Sequence, residues 1–266
     1  MKNVNVMRAA VLMGHGDIDQ LQVREDMPIP RPGREEVLIR VGASAVNNTD
    51  INTRVGWYSQ SRSEADAAWS GNPMKFPRIQ GADCCGQITS VGSAIDPARI
   101  GERVLVRTMQ EPVNVDGDLI PITLGSEIEG AFAEYLSVRA SEAFVIDSPL
   151  DDAELASFPC SYSTAEGLLQ RARVGAERVL ITGASGGVGS AAVQLAAMRG
   201  ASVVAATTGV RADDVRRIGA GEIIDRAGDL VDQLGESSID VVIDLVGGPH
   251  FESLLRVLRP GGRYAI

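Results

Sequence analysis

A glycine-rich segment in the second half of the chain has the composition of a phosphate-binding turn. It reads Ile181-Thr-Gly-Ala-Ser-Gly-Gly-Val-Gly-Ser190. Glycines at this spacing let the backbone turn tightly and approach a pyrophosphate, and the N-terminus of a following helix supplies N–H donors and a partial positive charge. The spacing is not the strict G-x-G-x-x-G pattern, so a purely structural turn is the alternative. The predicted nucleotide contacts are Gly183, Ser185, Gly186, Gly187, Val188 and Gly189.

The next predicted strand ends with residues that indicate which nucleotide would bind. It ends at Thr207 and Thr208, and Arg211 follows three residues on. NAD sites usually carry Asp or Glu at this point to bind the ribose 2′-hydroxyl. Here there is no acid, and an arginine would suit a 2′-phosphate because its guanidinium can pair with two phosphate oxygens. The sequence therefore favours NADP(H), although Arg211 could instead be a solvated residue in the first turn of a helix.

Two of the three cysteines are adjacent, in the segment Gln80-Gly-Ala-Asp-Cys-Cys-Gly86. A strand would place Cys84 and Cys85 on opposite faces, so the two thiols could not readily share a metal ion. Free cysteine often behaves as a small buried apolar residue. We therefore expect both thiols to be buried and reduced, and we predict no metal site.

The elements that must position these residues change in type near residue 150. Before it, short apolar runs alternate with turns and predict strands, as expected for an antiparallel barrel or sandwich. The runs are Ala9–Met13, Glu36–Val46, Cys85–Val91, Arg103–Arg107 and Ala131–Val138, and residues 59–77 are predicted to form a long loop.

After residue 150, helices and strands alternate, which predicts parallel βαβ units. A helix capped by Asp151 or Asp152 is predicted to run towards Arg173. The strands are predicted at 178–182, 202–207, 222–224, 239–246 and from 260 onwards, and the later helices at 190–199, 211–218, 230–234 and 250–258. The predicted domains are thus 1–150 and 151–266.

Composition excludes several classes of partner. The chain has 266 residues and a net charge of −10, so it should repel nucleic acids and anionic membranes. No apolar run approaches the roughly 20 residues that a membrane span needs, and the N-terminus lacks the apolar stretch of a signal peptide. We expect a cytoplasmic protein that acts on a small molecule.

The chain resembles the medium-chain dehydrogenase/reductase superfamily, in which a glycine-rich fingerprint follows a β-rich region. The segments that carry the resemblance extend over the whole chain: 46–50, 54–58, 80–86, 91–92, 101–104, 130–135, 156–160, the fingerprint and Asp244-Leu-Val-Gly247. The resemblance implies an N-terminal GroES-like β domain, then a Rossmann-type doubly wound parallel sheet and a substrate cleft between them. It also implies that Val246 contacts the nucleotide.

Zinc ligands are the main departure from the zinc-dependent alcohol dehydrogenases of that superfamily. Their Cys-His-Thr-Asp-like and Gly-His-Glu motifs correspond to Asn47-Asn48-Thr49-Asp50 and Gly81-Ala82-Asp83. Two of their three protein ligands are thus replaced, by Asn47 and Ala82. The third ligand is a cysteine, and it falls near Cys160. Zinc prefers thiolate and imidazole donors, and Cys160 with Asp83 would be a poor substitute.

Asn47 and Asp50 also fit the Asn-Pro-Val-Asp motif of the zinc-free quinone oxidoreductase-like branch, with Asn48-Thr49 in place of Pro-Val. The chain thus resembles both branches, with the zinc enzymes' hydroxyl and the quinone reductases' asparagine, and its replaced zinc ligands favour the zinc-free branch.

Without a metal, neutral donors must stabilise the negative charge that a hydride leaves on the substrate oxygen. Asn47 offers an amide, Thr49 a hydroxyl at the zinc enzymes' proton-relay position, and Tyr58 a phenol, and these three are the predicted catalytic residues. Each has a structural alternative: a turn cap for Asn47, a strand-edge position for Thr49, and packing under the long loop for Tyr58.

We therefore expect an NADPH-dependent oxidoreductase that transfers hydride to a quinone, enone or other activated carbonyl. Two alternatives stay open: a nucleotide-binding or regulatory fragment without turnover, and an alcohol dehydrogenase with an atypical metal site. The resemblance implies that relatives continue beyond the strand in which this chain ends at Ile266, so we expect the parallel sheet to be truncated at its C-terminal end. A homodimer is expected if the chain were complete.

Overall fold

The computed structural model describes residues 6–59, 74–115 and 118–266. The backbone divides into two compact units, Met1–Cys160 and Ser161–Ile266. Most of the predicted long loop at 59–77 lies outside the described residues. No helix within the described ranges has the length and apolar composition needed to cross a bilayer.

Strands dominate the first unit. They are β1 (Val6–Leu12), β2 (Leu21–Pro28), β3 (Glu36–Ala43), β4 (Arg78–Ile79), β5 (Cys85–Val91), β6 (Arg103–Val106), β7 (Met109–Val115), β8 (Asp118–Thr123), β9 (Tyr135–Arg139) and β10 (Ala143–Val145). Two short helices, α1 (Asn48–Arg54) and α2 (Asp152–Ala156), accompany them.

These strands form antiparallel sheets, as the short apolar runs predicted. The largest has the order β10-β6-β5-β3-β9, a second has the order β2-β1-β4, and β7 pairs with β8 as a ribbon. The buried face of the largest sheet packs Val37, Ile39, Ile88 and Leu136 into one apolar core. This sheet supports the loops from which the polar residues of the unit project.

The adjacent cysteines separate as the alternation of a strand predicts. Cys84 packs in the core of the largest sheet, whereas Cys85 packs against Leu155 and Ala156 of α2. Both are fully buried and neither is in a disulfide within the described residues. Burial raises the pKa of both thiols, that of Cys85 to about 11. The prediction that both thiols are buried is confirmed.

The second unit alternates helices with strands. The helices are α3 (Pro159–Arg171), which begins at the unit boundary, α4 (Gly187–Met198), α5 (Ala212–Arg217), α6 (Leu230–Leu234) and α7 (Phe251–Val257). The strands are β11 (Arg178–Ile181), β12 (Ser202–Thr207), β13 (Glu222–Asp225), β14 (Ile239–Ile243) and β15 (Leu258–Ala265).

All neighbouring strands of this unit pair in parallel, in the order β13-β12-β11-β14-β15. This order has its switch point between β11 and β14, which is where doubly wound sheets bind ligands, at the carboxyl ends of the strands. The predicted fold class, a β domain followed by a Rossmann-type parallel sheet, is confirmed. The glycine-rich segment follows β11 and therefore lies at this edge.

Several element boundaries differ from the prediction. The single helix predicted from Asp151 to Arg173 is two helices, because Pro159 removes a backbone donor and starts α3 afresh. Asp151 does cap α2, accepting the Glu154 N–H at 2.8 Å. The strand predicted from Ala131 begins only at Tyr135. The helix predicted from Ser190 begins three residues earlier, at Gly187.

Candidate active site

The glycine-rich turn has a shape that only glycine allows at two positions. Gly183 has a φ of 59°, in the left-handed region. A Cβ on Gly189 would lie 2.1 Å from the Gly183 carbonyl oxygen. The first turn of α4 is therefore pressed directly onto the backbone that leaves β11, which leaves no room for a side chain between them.

This turn fits a dinucleotide. Ser185, Gly186 and Gly187 are exposed, and they surround the start of a twelve-residue helix whose first N–H groups lack intrahelical partners. Val246 lies beside the turn, since a Cβ on Gly183 would be 3.3 Å from its Cγ2 atom. Gly183, Ser185, Gly186, Gly187, Val188, Gly189 and Val246 are thus brought together, and they are the residues that would hold a pyrophosphate and its neighbouring ribose.

The structure separates the candidate residues at the end of β12. Thr207 is buried, and its hydroxyl has no hydrogen-bond partner among the described residues. Thr208 is half-buried, and Arg211 is exposed with Asp214 as its ion-pair partner at 3.7 Å. Thr208 and Arg211 can therefore reach a ligand from solvent, whereas the side chain of Thr207 is buried.

A second arginine at this corner was missed by the sequence reasoning. Arg226 directly follows β13, and its N–H donates to the Thr207 carbonyl oxygen at 3.1 Å. It is exposed and forms no ion pair within the part of the chain that the structure describes. Asp225 precedes it, with one carboxylate oxygen bound to the Ala227 N–H. The sequence alone does not show that β12 pairs in parallel with β13, and this pairing is what brings the ends of the two strands together.

In the first unit, the three predicted catalytic residues cluster around the start of α1. Asn47 precedes the helix, Thr49 lies in its first turn, and Tyr58 lies in the short 3-10 turn Trp57–Ser59. The hydroxyls of Thr49 and Tyr58 are 3.0 Å apart, and either can be the donor. All three side chains are partly exposed, so a small molecule could contact them.

Two buried carboxyl groups lie directly beneath this cluster. Asp50 accepts the Asn47 N–H at 2.8 Å and the Ala82 N–H at 3.0 Å. Asp83 accepts the side-chain amide of Asn47 at 2.8 Å. Burial raises the pKa of Asp50 to about 6 and also raises the pKa of Asp83, because desolvation outweighs the hydrogen bonds to each carboxylate.

The residues at this position do not fit a zinc ion. Asn47 presents an amide N–H towards Asp83, and Ala82 has no donor atom in its side chain. Cys160 is therefore the one thiol left at this position, and burial raises its pKa to about 12. Over residues 6–59, 74–115 and 118–266, no group of three His, Cys, Asp or Glu residues is arranged to hold a metal.

Comparison with known proteins identifies the superfamily. Residues 33–148 match the model of the alcohol dehydrogenase GroES-like domain, and residues 187–266 match that of the zinc-binding dehydrogenases. Human quinone oxidoreductase is 30% identical over 98% of this chain and 73% of its own length. The chain is a medium-chain dehydrogenase/reductase. The first unit of this dehydrogenase/reductase is therefore its GroES-like domain, as the sequence resemblance implied.

Other members of the superfamily are similar over the same region. A crystal structure from Sinorhizobium meliloti 1021 that carries the name alcohol dehydrogenase superimposes with a TM-score of 0.90, at 43% identity, covering 98% of this chain and 74% of that one. The chloroplastic NADPH-dependent alkenal/one oxidoreductase of Arabidopsis thaliana is 28% identical over 97% of this chain. This dehydrogenase/reductase chain spans 61% of the length of that plant relative.

We predict that Gly189→Ala destabilises the second unit and weakens its binding of nucleotide. Its Cβ would overlap the Gly183 carbonyl, and overpacking of this kind costs about 1–3 kcal/mol. Urea denaturation and fluorescence titration with NADPH and NADH would measure the two effects. Gly167→Ala on α3 is the control, because a Cβ there meets nothing within 4 Å. Equal behaviour of the two variants would contradict the prediction.

We also predict that Asp50 makes the first unit more stable at mildly acidic pH. Its pKa rises from 3.8 in the unfolded chain to about 6 when folded. The group therefore contributes stability that is fully present below its unfolded pKa and is lost as the pH rises through about 6. Two units of pKa correspond to at most about 3 kcal/mol.

Urea denaturation of wild type and Asp50→Asn across this pH window provides the measurement. The stability advantage of the wild type should shrink as the pH rises, since the variant lacks the titrating group. Asp213→Asn removes an exposed carboxylate on α5 and controls for surface charge. An advantage that grows with pH would show that the direction is wrong.

Proposed function

We propose that this protein is an NADPH-dependent reductase of conjugated carbonyl compounds, such as enones and quinones, and that it works without zinc. The observation that carries the proposal is the grouping of Asn47, Thr49 and Tyr58 at the start of α1, with hydroxyls 3.0 Å apart. Of these three neutral donors, Asn47 stands at one of the positions where the zinc enzymes carry a ligand, and Thr49 stands at their proton-relay position. The names of the plant alkenal/one oxidoreductase and of human quinone oxidoreductase support the same substrate class.

The paired hydroxyls can always offer one proton to a substrate oxygen. Thr49 and Tyr58 share a single hydrogen bond, which uses one of their two hydroxyl protons. The hydroxyl that accepts this bond keeps its own proton and can donate it elsewhere. When the substrate oxygen gains negative charge, this donor stabilises it and can pass on the proton, with the second hydroxyl as the relay.

Asn47 supplies a second, uncharged donor. One N–H of its amide is committed to Asp83, and the other can donate to the same substrate oxygen. NADPH, when bound, supplies the hydride. Conjugated acceptors spread the resulting charge over several atoms, so they need less stabilisation than a simple aldehyde does. Neutral donors are therefore matched to an enone or a quinone.

The preference for NADPH rests on the charges at the ribose corner of the second unit. Exposed Arg211 and Arg226 follow the neighbouring strands β12 and β13, and both can approach a 2′-phosphate. Two acids lie near these arginines: Asp214 pairs with Arg211 at 3.7 Å, and Asp225 accepts the Ala227 N–H through one carboxylate oxygen. The preference for NADPH therefore depends on the guanidinium groups, which can pair with two phosphate oxygens.

The first test is consumption of NADPH by the purified chain with enones, quinones, saturated ketones and, in the reverse direction, primary alcohols with NADP. We expect turnover with conjugated acceptors only. Thr49→Val with Tyr58→Phe should lower kcat by about 100-fold or more, because both hydroxyl donors are lost. Tyr135→Phe, at a half-buried tyrosine of β9, is the matched control.

Two outcomes would overturn the assignment. Tight NADPH binding with no turnover of any acceptor would favour a nucleotide-binding or regulatory protein. Oxidation of simple alcohols together with stoichiometric zinc in the purified protein would favour an alcohol dehydrogenase with an atypical metal site.

The arginines provide a separate test of the nucleotide preference. Arg211→Ala and Arg226→Ala should each weaken NADPH binding by roughly tenfold, equivalent to 1.4 kcal/mol, and leave the Kd for NADH unchanged. Fluorescence titration at two salt concentrations would measure both constants. Arg256→Ala, an exposed arginine of α7 paired with Glu236, is the control. If the Kd values for both nucleotides rise equally, the arginines do not recognise the 2′-phosphate.

A further inference from the structure

Asp83 connects three separate segments of the first unit through its carboxylate. It is fully buried. One oxygen, Oδ1, accepts the Cys160 N–H at 2.7 Å and the Thr108 hydroxyl at 3.2 Å. The other oxygen, Oδ2, accepts the side-chain amide of Asn47 at 2.8 Å. A buried carboxylate is costly unless it is hydrogen-bonded in this way.

The two carboxylate oxygens of Asp83 therefore bind different kinds of group. Oδ1 binds Thr108 and the start of α3, neither of which is a candidate catalytic group. Oδ2 accepts the amide of Asn47, which is a candidate catalytic group. The Asp83 carbonyl also accepts the Ser44 hydroxyl at 2.5 Å, so the same residue holds both ends of the segment 44–47 that leads into α1.

The second buried acid provides a contrast. Asp50 uses both carboxylate oxygens on backbone N–H groups, those of Asn47 and Ala82. It thus holds the start of α1 in place through backbone groups, in a capping box with Asn47. Of the two acids, only Asp83 is placed to control the direction of a side-chain donor.

We propose that Asp83 is a positioning residue that acts through Asn47. By accepting one N–H of the Asn47 amide, it fixes the amide plane and its orientation, so that the second N–H is available to the substrate oxygen. The inference rests on the proposed reductase function. In this proposal the Asp83 carboxylate orients the amide of Asn47, which stands where the zinc enzymes carry a ligand.

Asp83→Asn tests this contact selectively. The new side chain keeps a carbonyl oxygen that can serve Thr108 and Cys160. Its NH2 group then meets the NH2 group of Asn47, so two donors face each other and the Asn47 amide must turn. We expect kcat/KM for an enone to fall by about 10- to 100-fold, as misplacement of a catalytic group does. The Kd for NADPH should stay within about twofold of wild type, since less than 0.5 kcal/mol is involved.

A double-mutant cycle separates action through Asn47 from a general loss of structure. Asn47→Ala alone should lower kcat/KM by about 100-fold, and adding Asp83→Asn should cost little more, because the group it positions is already absent. Thr108→Val is the matched control: it removes a bond to Oδ1, and it should lower the melting temperature while leaving kcat nearly unchanged. Multiplicative losses in the double variant, or an equal loss of kcat in Thr108→Val, would overturn the proposal.

A crystal structure of the wild-type chain gives a readout that needs no turnover. The proposal requires a single Asn47 rotamer with its amide nitrogen on Asp83, and a turned or multiply placed amide in Asp83→Asn. An Asn47 side chain that is disordered in the wild type, or unmoved in the variant, would contradict it even if Asp83→Asn proved too unstable to assay. If instead the wild type reduces no acceptor while Asn47 behaves as described, the reductase assignment fails and the positioning contact remains.

Discussion

A single buried carboxylate organises the polar site of the first unit. Asp83 lies beneath the start of α1 and binds groups from residues 47, 108 and 160, which are far apart in the sequence. Each of these hydrogen bonds helps to offset the cost of removing the carboxylate from water, so none can be lost cheaply. The segments that contain residues 47, 108 and 160 are thus all bound to the same carboxylate.

Zinc sites hold such segments together by a different means. A metal ion binds side chains from several loops and also polarises the substrate. Under the proposed function, the two tasks are divided between groups of different charge. Asp83 joins the segments, whereas the uncharged side chains of Asn47, Thr49 and Tyr58 are partly exposed. The residues at the positions of the zinc ligands thus belong to a site that is itself well connected by hydrogen bonds.

Much of this arrangement could be predicted from the sequence, because it depends on local patterns. The bounds of β5, β12 and α6 match the predicted segments, since the apolar runs and caps that define them are contiguous. The contacts of Asp83 could not be predicted, because its three donors meet only after folding. Arg226 was missed for the same reason, since it reaches the ribose corner through the pairing of β12 with β13. Pro159 is a local signal for a helix break that the prediction overlooked.

The nucleotide turn has a consequence for how this superfamily member could be altered. Its shape is set by the backbone, through the close approach of Gly189 to the Gly183 carbonyl. The two arginines at the strand ends are exposed, and neither packs in the apolar core. Turn geometry and surface charge at the ribose corner are thus physically separate properties. Under the proposed function, surface substitutions alone would change the coenzyme preference while the backbone of the turn stays constant.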